Sequence, residues 1–472
     1  MSRTNVSSFH KYVAELNALM IRLGATPMST MQQKFVSFCI RHMTLLGCLN
    51  FSAFAVASLG CYQGRALSWM LHHSKLDWSL LLKAAVVKVL RDHKVSSVHI
   101  AIDDTDRKRS KVIKALWGVF KTIDKATGGW TNAQNIVFIC LITDKVTFPI
   151  LFTFYRPDPK HSLWAKNDKK LREKKVSKKD RPAEPTRSLK YPTRLEIAIN
   201  LLQRASLFFA NIESILGRPL KVKSIVFDSA YMSPAVARFC RITFKKVQVI
   251  SQIAKSQIVW DRKGIKKNVN DYFQNKSPIQ TEVNSRGSKI KVRYLAARLT
   301  VKSHGVRLTV IALKYEGETE YRYLAATELT WRGLDIIRAY ALRWLIEVVN
   351  FDWKQHDGWG KKAFQRGADG ACRGVILSLL VDCFLLTHPA QLDQSREGQP
   401  LWTAGSIVMR IQHDDIINTV EEILTNPDPE KALKAFANNI ENVVQLRQST
   451  KHMVKVEISD LGPSASLLRM RA

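Results

Sequence analysis

Residues 340–354 read YALRWLIEVVNFDWK, and the way this stretch is taken decides the fold around it. An α-helix turns through about 100° per residue, so Tyr340, Arg343, Glu347 and Lys354 fall in a stripe roughly 60° wide. Leu342, Leu345, Val348, Val349 and Phe351 occupy much of the remaining circumference. Such a helix is expected to be mostly buried, and a polar stripe on it to serve a purpose. Taken singly, Glu347 is equally an ordinary i,i+4 partner of Arg343 on a solvated face. The four together are the informative set.

Upstream, residues 255–330 contain RYLAARLTV, GVRLTVIALKY and EYRYLAATE, which alternate as antiparallel strands do. Earlier still, SVHIAIDDT from residue 97 alternates and ends in carboxylates, and NIVFICLITDKVTFPILFTFY reads as a hairpin around TDK. A periodic helix, TRLEIAINLLQRASLFFANI, then leads to the strand KSIVFDSAY, a helix at SPAVARFCRI and the strand KVQVISQIA. Three strands, helix, strand, helix, strand is an α/β order that one mixed central sheet satisfies. Two of its strands end at acids, Asp103 with Asp104 and Asp228.

Residues 1–95 show helical periods, and SAFAVASLGCYQGRALSWMLHH outlines a helix-turn-helix, either a DNA-binding module or a packing domain without DNA contacts. The expected division is 1–95 helical; 96–254 and 331–390 as two parts of one α/β domain; 255–330 as a β-rich insertion; and 391–472 helical, ending in the basic LLRMRA. The run of lysines and arginines after Pro159, to about residue 194, reads as a solvated or disordered loop that touches phosphate when nucleic acid is bound.

Charge narrows the function. The 472 residues carry 73 Lys and Arg against 40 Asp and Glu, a formal charge of +33, with 46% hydrophobic and 9% aromatic content. That excess calls for a polyanion, and nucleic acid outranks a membrane because no apolar run approaches the roughly 18 residues that cross a bilayer. GVILSLLVDCFLLTH is short and interrupted by Asp382, as a core helix is. The N-terminus lacks a signal-peptide core, so the cytosol is the expected location. The seven cysteines are scattered without C-x-x-C spacing, against a disulfide framework or structural zinc.

Two strand-end acids and a helix-borne Glu are what two-metal phosphoryl transfer needs, since Mg²⁺ takes hard oxygen ligands beside phosphate. The candidates are Asp104 or Asp103, Asp228 and Glu347. Each also has a plain reading as a turn former, helix cap or ion-pair partner.

The spacing Y-x(2)-R-x(3)-E-x(6)-K, met by Tyr340, Arg343, Glu347 and Lys354, resembles the signature of the insertion-sequence-four family of bacterial DDE transposases. IDDT at 102–105 and VFDSAY at 226–231 are similar to its two aspartate motifs, and the likeness spans about residues 96–390. It implies a ribonuclease-H-like sheet in which Asp104, Asp228 and Glu347 hold two Mg²⁺ ions, with Mn²⁺ able to substitute. Asp103 is the alternative to Asp104; alternation puts them on opposite faces, and the Asp followed by Thr matches the family. The likeness further implies that Tyr340, Arg343 and Lys354 grip DNA phosphates. It implies a cut-and-paste enzyme that acts on double-stranded DNA, cleaves its terminal inverted repeats, joins 3′ hydroxyls to target DNA, works as a homodimer on DNA among the bacterial nucleoid, and takes no small-molecule substrate. Some relatives stack a flipped base on a Trp; Trp260 and Trp331 are the candidates here. The rival readings are a nuclease on the same fold and a DNA-binding protein without catalysis.

Overall fold

The computed structural model describes residues 4–109, 116–124, 127–245, 247–285, 288–359 and 365–444. The basic LLRMRA end lies outside the described residues. Five helices come first, α1 (Thr4–Arg22), α2 (Thr30–Leu46), α3 (Phe51–Ala57), α4 (Gly64–His73) and α5 (Trp78–Asp92). Local chemistry sets their ends. In α2, Ser29 and Gln32 form a reciprocal capping box, and Gly47 closes the helix at φ 58°, where a side chain would be strained.

The sheet follows with β1 (Ser97–Arg109), β2 (Phe120–Ile123), β3 (Trp130–Ile142) and β4 (Thr147–Tyr155), then α6 (Pro159–Glu173) and α7 (Arg194–Leu216). β5 (Lys221–Phe227), α8 (Pro234–Thr243) and β6 (Gln248–Ile253) complete the α/β part. β1 is antiparallel to β3 and parallel to β5, which is parallel to β6, while β2 and β4 share the far edge of β3. This is the mixed sheet flanked by helices that the strand order predicted. β1 extends four residues past the expected SVHIAIDDT, because pairing with β3 as far as Asn132 holds the polar DRKR in the sheet.

The β-rich segment comprises β7 (Ile258–Trp260), β8 (Lys266–Asn268), α9 (Val269–Phe273), β9 (Ile279–Ser285), β10 (Ser288–Val301), β11 (Val306–Tyr315) and β12 (Arg322–Ala326). It shares the central sheet, because β12 pairs with β6 and the path continues β11-β10-β7-β8. Its own smaller core gathers Phe273, Leu299, Val301 and Tyr323. The chain then returns through α10 (Gly333–Ala341) and α11 (Leu345–Gln355) to α12 (Gly367–Leu386), α13 (Pro389–Arg396), α14 (Ala404–Leu424) and α15 (Pro429–Val443).

α12 is the hub of the helical layer. Leu377, Leu379, Leu380 and Val381 are fully buried, Phe9 of α1 stacks on Phe384 at 4.5 Å, and the Tyr12 hydroxyl donates to the Leu380 carbonyl. α1, α2 and α5 from the start of the chain and α12 and α14 from its end therefore close over one core with the sheet. No single helix among the described residues is long and apolar enough to cross a membrane.

The lysine-rich run differs from its expectation as a loop. Asp158 caps α6, Pro159 opens it, and Asp168 inside it pairs with Arg172 and Arg181. His161 meets Glu184, and the Trp164 indole donates to the Pro182 carbonyl. A few acids and one aromatic spaced through the run fold it into a strapped helix with its lysines outward, a pattern that bulk composition conceals.

Candidate active site

β1 and β5 run parallel, with Ile102 opposite Phe227. The next residues along them are Asp103 and Asp228. Residues in register on neighbouring strands share a face, so these two acids emerge together where β5 ends. Asp228 accepts from the Ser229 N–H at 2.6 Å and starts a short turn.

The stretch 340–354 is not one continuous α-helix. α10 stops at Ala341, a 3₁₀ turn spans Leu342–Trp344, and α11 begins at Leu345. The tighter turn advances about 120° per residue, so it rotates Arg343 relative to an ideal stripe. Arg343 reaches the acids: its Nη1 lies 3.3 Å from Asp103 Oδ2. Burial opposes charge on Arg343, but Tyr340, Asp103, Asp228 and Glu347 together outweigh it. Glu347 is exposed and close enough to Asp103 for its charge to act there.

Asp103 Oδ1 accepts the Asp104 N–H at 2.8 Å. Burial pushes the Asp103 carboxyl up to about 6; Asp104 and Glu347 add to this, while the Asp104 N–H and Arg343 oppose it. Asp103 therefore ionises at a higher pH than a free carboxyl, and nearby positive charge favours its ionised form.

Asp104, the residue favoured by the resemblance, faces elsewhere. Its Oδ2 accepts from Asn135 Nδ2 at 2.7 Å, its Oδ1 from the Tyr231 hydroxyl at 3.2 Å, and Arg194 Nε stands 3.5 Å away. Asn135 also donates to Asp106 at 2.9 Å. Strand alternation puts the two acids on opposite faces, and of the two it is Asp103 that pairs with Arg343.

The other stripe residues flank the acids. Tyr340 is buried, with its hydroxyl 3.5 Å from Gln252 Oε1, and burial raises its pKa. Lys354 is half-buried; burial lowers its pKa, while Asp106 and Glu347 work against that. Phe351, expected among the buried flanks, is 59% exposed one turn beyond Glu347. A cavity of about 290 Å³ opens beside Arg343, walled by Tyr315, Trp344, Tyr340, Gln252 and Arg322. Trp260 lies in the β7–β10 pairing and Trp331 packs against the main core, so neither lines it.

The donor set suits a hard cation: three carboxylates on β1, at the end of β5 and on α11, one of them raised in pKa by burial. Among the described residues, however, no three Asp, Glu, His or Cys side chains already converge as a metal-holding group. Asp103, Asp228 and Glu347 are all near enough to Arg343 for their charges to act on it.

Asp106, Asn135, Arg194 and Tyr231 were not singled out from the sequence. Tyr231 lies inside the quoted VFDSAY and Asp106 directly follows IDDT, so both carried a signal; Asn135 and Arg194 are brought in only by pairing and helix packing.

No family model and no curated protein matches the sequence. Among solved structures, the chain is similar to a piggyBac transposase in its synaptic complex with hairpin DNA, at 10% identity and a TM-score of 0.39 over 96% of this chain and 86% of that one. It is also similar to the NurA nuclease from Sulfolobus solfataricus, at 9% identity and a TM-score of 0.22 over 52% of this chain and 72% of that one. Likenesses of this size do not bear on activity.

Proposed function

We propose that the protein is a DNA-cleaving and strand-joining phosphoryl transferase, a DDE-type transposase of the insertion-sequence-four kind built on a ribonuclease-H-like sheet. One observation carries the reading: Asp103, Arg343 and Glu347 meet from β1 and the 340–354 helix, beside Asp228, in a chain of net charge +33. Carboxylates kept beside a cation-rich surface have no use in mere phosphate binding, which they would weaken.

In this reading Asp103, Asp228 and Glu347 hold divalent ions, Mg²⁺ with Mn²⁺ as substitute. When bound, the ions would activate the attacking oxygen and neutralise the leaving one. Arg343, which pairs with Asp103 here, would be available to phosphate if that acid were held by an ion. The guanidinium fork then takes two oxygens of the scissile phosphate, with the Tyr340 hydroxyl as a neutral donor and Lys354 as a point charge behind them. The lysines of α6 and the α3–α4 pair supply further contacts to the terminal repeats, and two chains assemble on the paired DNA ends.

The test is cleavage of labelled DNA carrying the sequences that flank the gene, with Mg²⁺ or EDTA, comparing wild type with Glu347→Gln. Metal-dependent release of the flank, lost in the variant with DNA binding retained, is expected. Cleavage without joining of the 3′ hydroxyl to a second duplex would reduce the protein to a nuclease. The second reading, a DNA-binding protein without catalysis, draws on the absence of a preformed three-donor group among the described residues; binding without cleavage under every metal would establish it.

A further inference from the structure

Two arginines follow Asp103 on the same face of β1, Arg107 and Arg109. Arg107 is only 5% exposed. Its guanidinium carbon lies 5.6 Å from the centre of the Trp359 ring, and its Nη1 is buried without a hydrogen-bond acceptor. Among the described residues no carboxylate pairs with it; burial, together with the like charge of Arg109, pulls its pKa down to about 8. Arg109 is engaged by Gln134, donating to Oε1 at 2.9 Å. A buried cation with no counter-charge is costly, and its contact with the Trp359 ring face offsets only part of that cost. The charge is kept for something that is negative.

Space for it adjoins. Arg107 and Arg109 border a gap that meets, at Leu49 and Gln365, a larger cavity of about 710 Å³. The larger cavity lies between α3, α4 and the start of α12, and its polar walls include Arg65, His72, Arg366, Asn50, Ser52 and Ser68. Among the described residues, neither space is lined by a single Asp or Glu. Four arginines, a histidine and no described acid around two adjoining spaces suit a phosphate ester. The large cavity has room for a phosphate with its nucleoside; the gap at Arg107 is much smaller, so Gln365, which stands at the junction, must turn for the phosphate to reach Nη1.

We infer that this hollow is an anion site that holds a backbone phosphate of the bound DNA, with Arg107 as its buried anchor and Arg65 and Arg366 at its mouth. Arg107 is four residues from Asp103, about 13 Å along the strand, or about four base steps of duplex DNA. Strand β1 would thus carry cleavage acid and phosphate anchor on one rigid element, fixing how far the grip lies from the cut. The assignment of the phosphate to DNA rests on the proposed function; the anion site itself does not.

Two measurements on the full chain test it, for wild type, Arg107→Met, Arg107→Lys and Arg65→Ala. The first is thermal unfolding in inorganic phosphate against chloride at equal ionic strength. The second is affinity for a DNA duplex as a function of salt. Phosphate should raise Tm in wild type, less in Arg107→Lys and Arg65→Ala, and not in Arg107→Met. Loss of Arg107 should weaken DNA binding about tenfold and lower the log–log salt slope by about one. Arg65 is exposed, so its variant gives a readout even if Arg107→Met folds poorly. If phosphate does not stabilise the wild type and the salt slope is the same in every variant, Arg107 is a packing residue and the site is refuted. Protection by phosphate with unaltered DNA binding would retain the anion site and refute its DNA occupant. Cleavage by wild type that persists unchanged in Arg107→Met would refute the DNA occupant and leave the proposed function standing, whereas phosphate protection in a protein that never cuts DNA would sink the proposed function alone.

Discussion

At the scale of single residues, Asp103 and Asp104 are adjacent acids with opposite surroundings. Asp104 is satisfied by Asn135 and Tyr231, whereas Asp103 meets Arg343 and holds a proton up to about pH 6. Asp103→Asn should therefore reduce metal-dependent cleavage on the order of 100-fold or more, and Asp104→Asn should act mainly on stability through its hydrogen bonds. The reverse ranking, read from cleavage rates of the two variants, would return the metal to Asp104. The raised pKa sets a sign as well. The folded protein keeps the Asp103 proton between about pH 4 and 6, where the unfolded chain has lost it. This carboxyl thus costs stability as pH rises through that window, and a bound cation removes the cost. Mg²⁺ should raise Tm more at pH 7.5 than at pH 5, where it competes with the proton; equal shifts would separate Asp103 from the ion.

At the scale of elements, the 340–354 helix is placed by what lies at its start. A Cβ on Gly333 would stand 2.9 Å from Tyr294 Cε2 and 3.3 Å from Ala296 Cβ, so α10 lies directly on β10. Gly333→Ala should cost about 1–3 kcal/mol, seen as a lower Tm, and Tyr294→Ala should restore part of the stability; an unchanged Tm would mean the ring swings away freely. The α6 strap invites a different test. Lys169, Lys170, Lys174 and Lys175 are exposed while Asp168 and Arg181 hold the fold beneath them. Exchanging the four for Gln should leave Tm alone and lower the salt slope of DNA binding by up to about 0.9 for each phosphate they neutralise. An unaltered slope would show that the strap touches no phosphate.

Across the whole molecule, the layer that joins the site to the helices hides unneutralised acids. Asp357, Asp382 and Asp352 gather where α11 gives way to α12, and Asp357 Oδ1 and Asp382 Oδ2 are buried without partners. Burial, with the charge of Asp352, pushes Asp382 up to about 8, and burial raises Asp357 as well. Below about pH 4 Asp382 is neutral in folded and unfolded chains alike. Between about 4 and 8 only the unfolded chain ionises, so stability falls as pH rises, and above about 8 the penalty is constant. Asp382→Asn should flatten that fall by up to about 1.4 kcal/mol per pH unit, measured as urea midpoints at pH 5 and pH 8. Equal losses in variant and wild type would place the proton elsewhere.

The sequence by itself makes most element types and their order legible, because periodicity records which faces are buried: the alternation of SVHIAIDDT, the hairpin around TDK, the helix TRLEIAINLLQRASLFFANI, the 340–354 stretch. It also supplied the acids and cations of the site, since residue type carries their chemistry. Only the tertiary structure decided which acid faces Arg343, because that depends on the β1–β5 register and on a 3₁₀ turn that helical periodicity does not distinguish. The same holds for Arg107: DRKR reads as solvated charge until β3 pairs with it and Trp359 covers it, and burial, not composition, makes its charge informative.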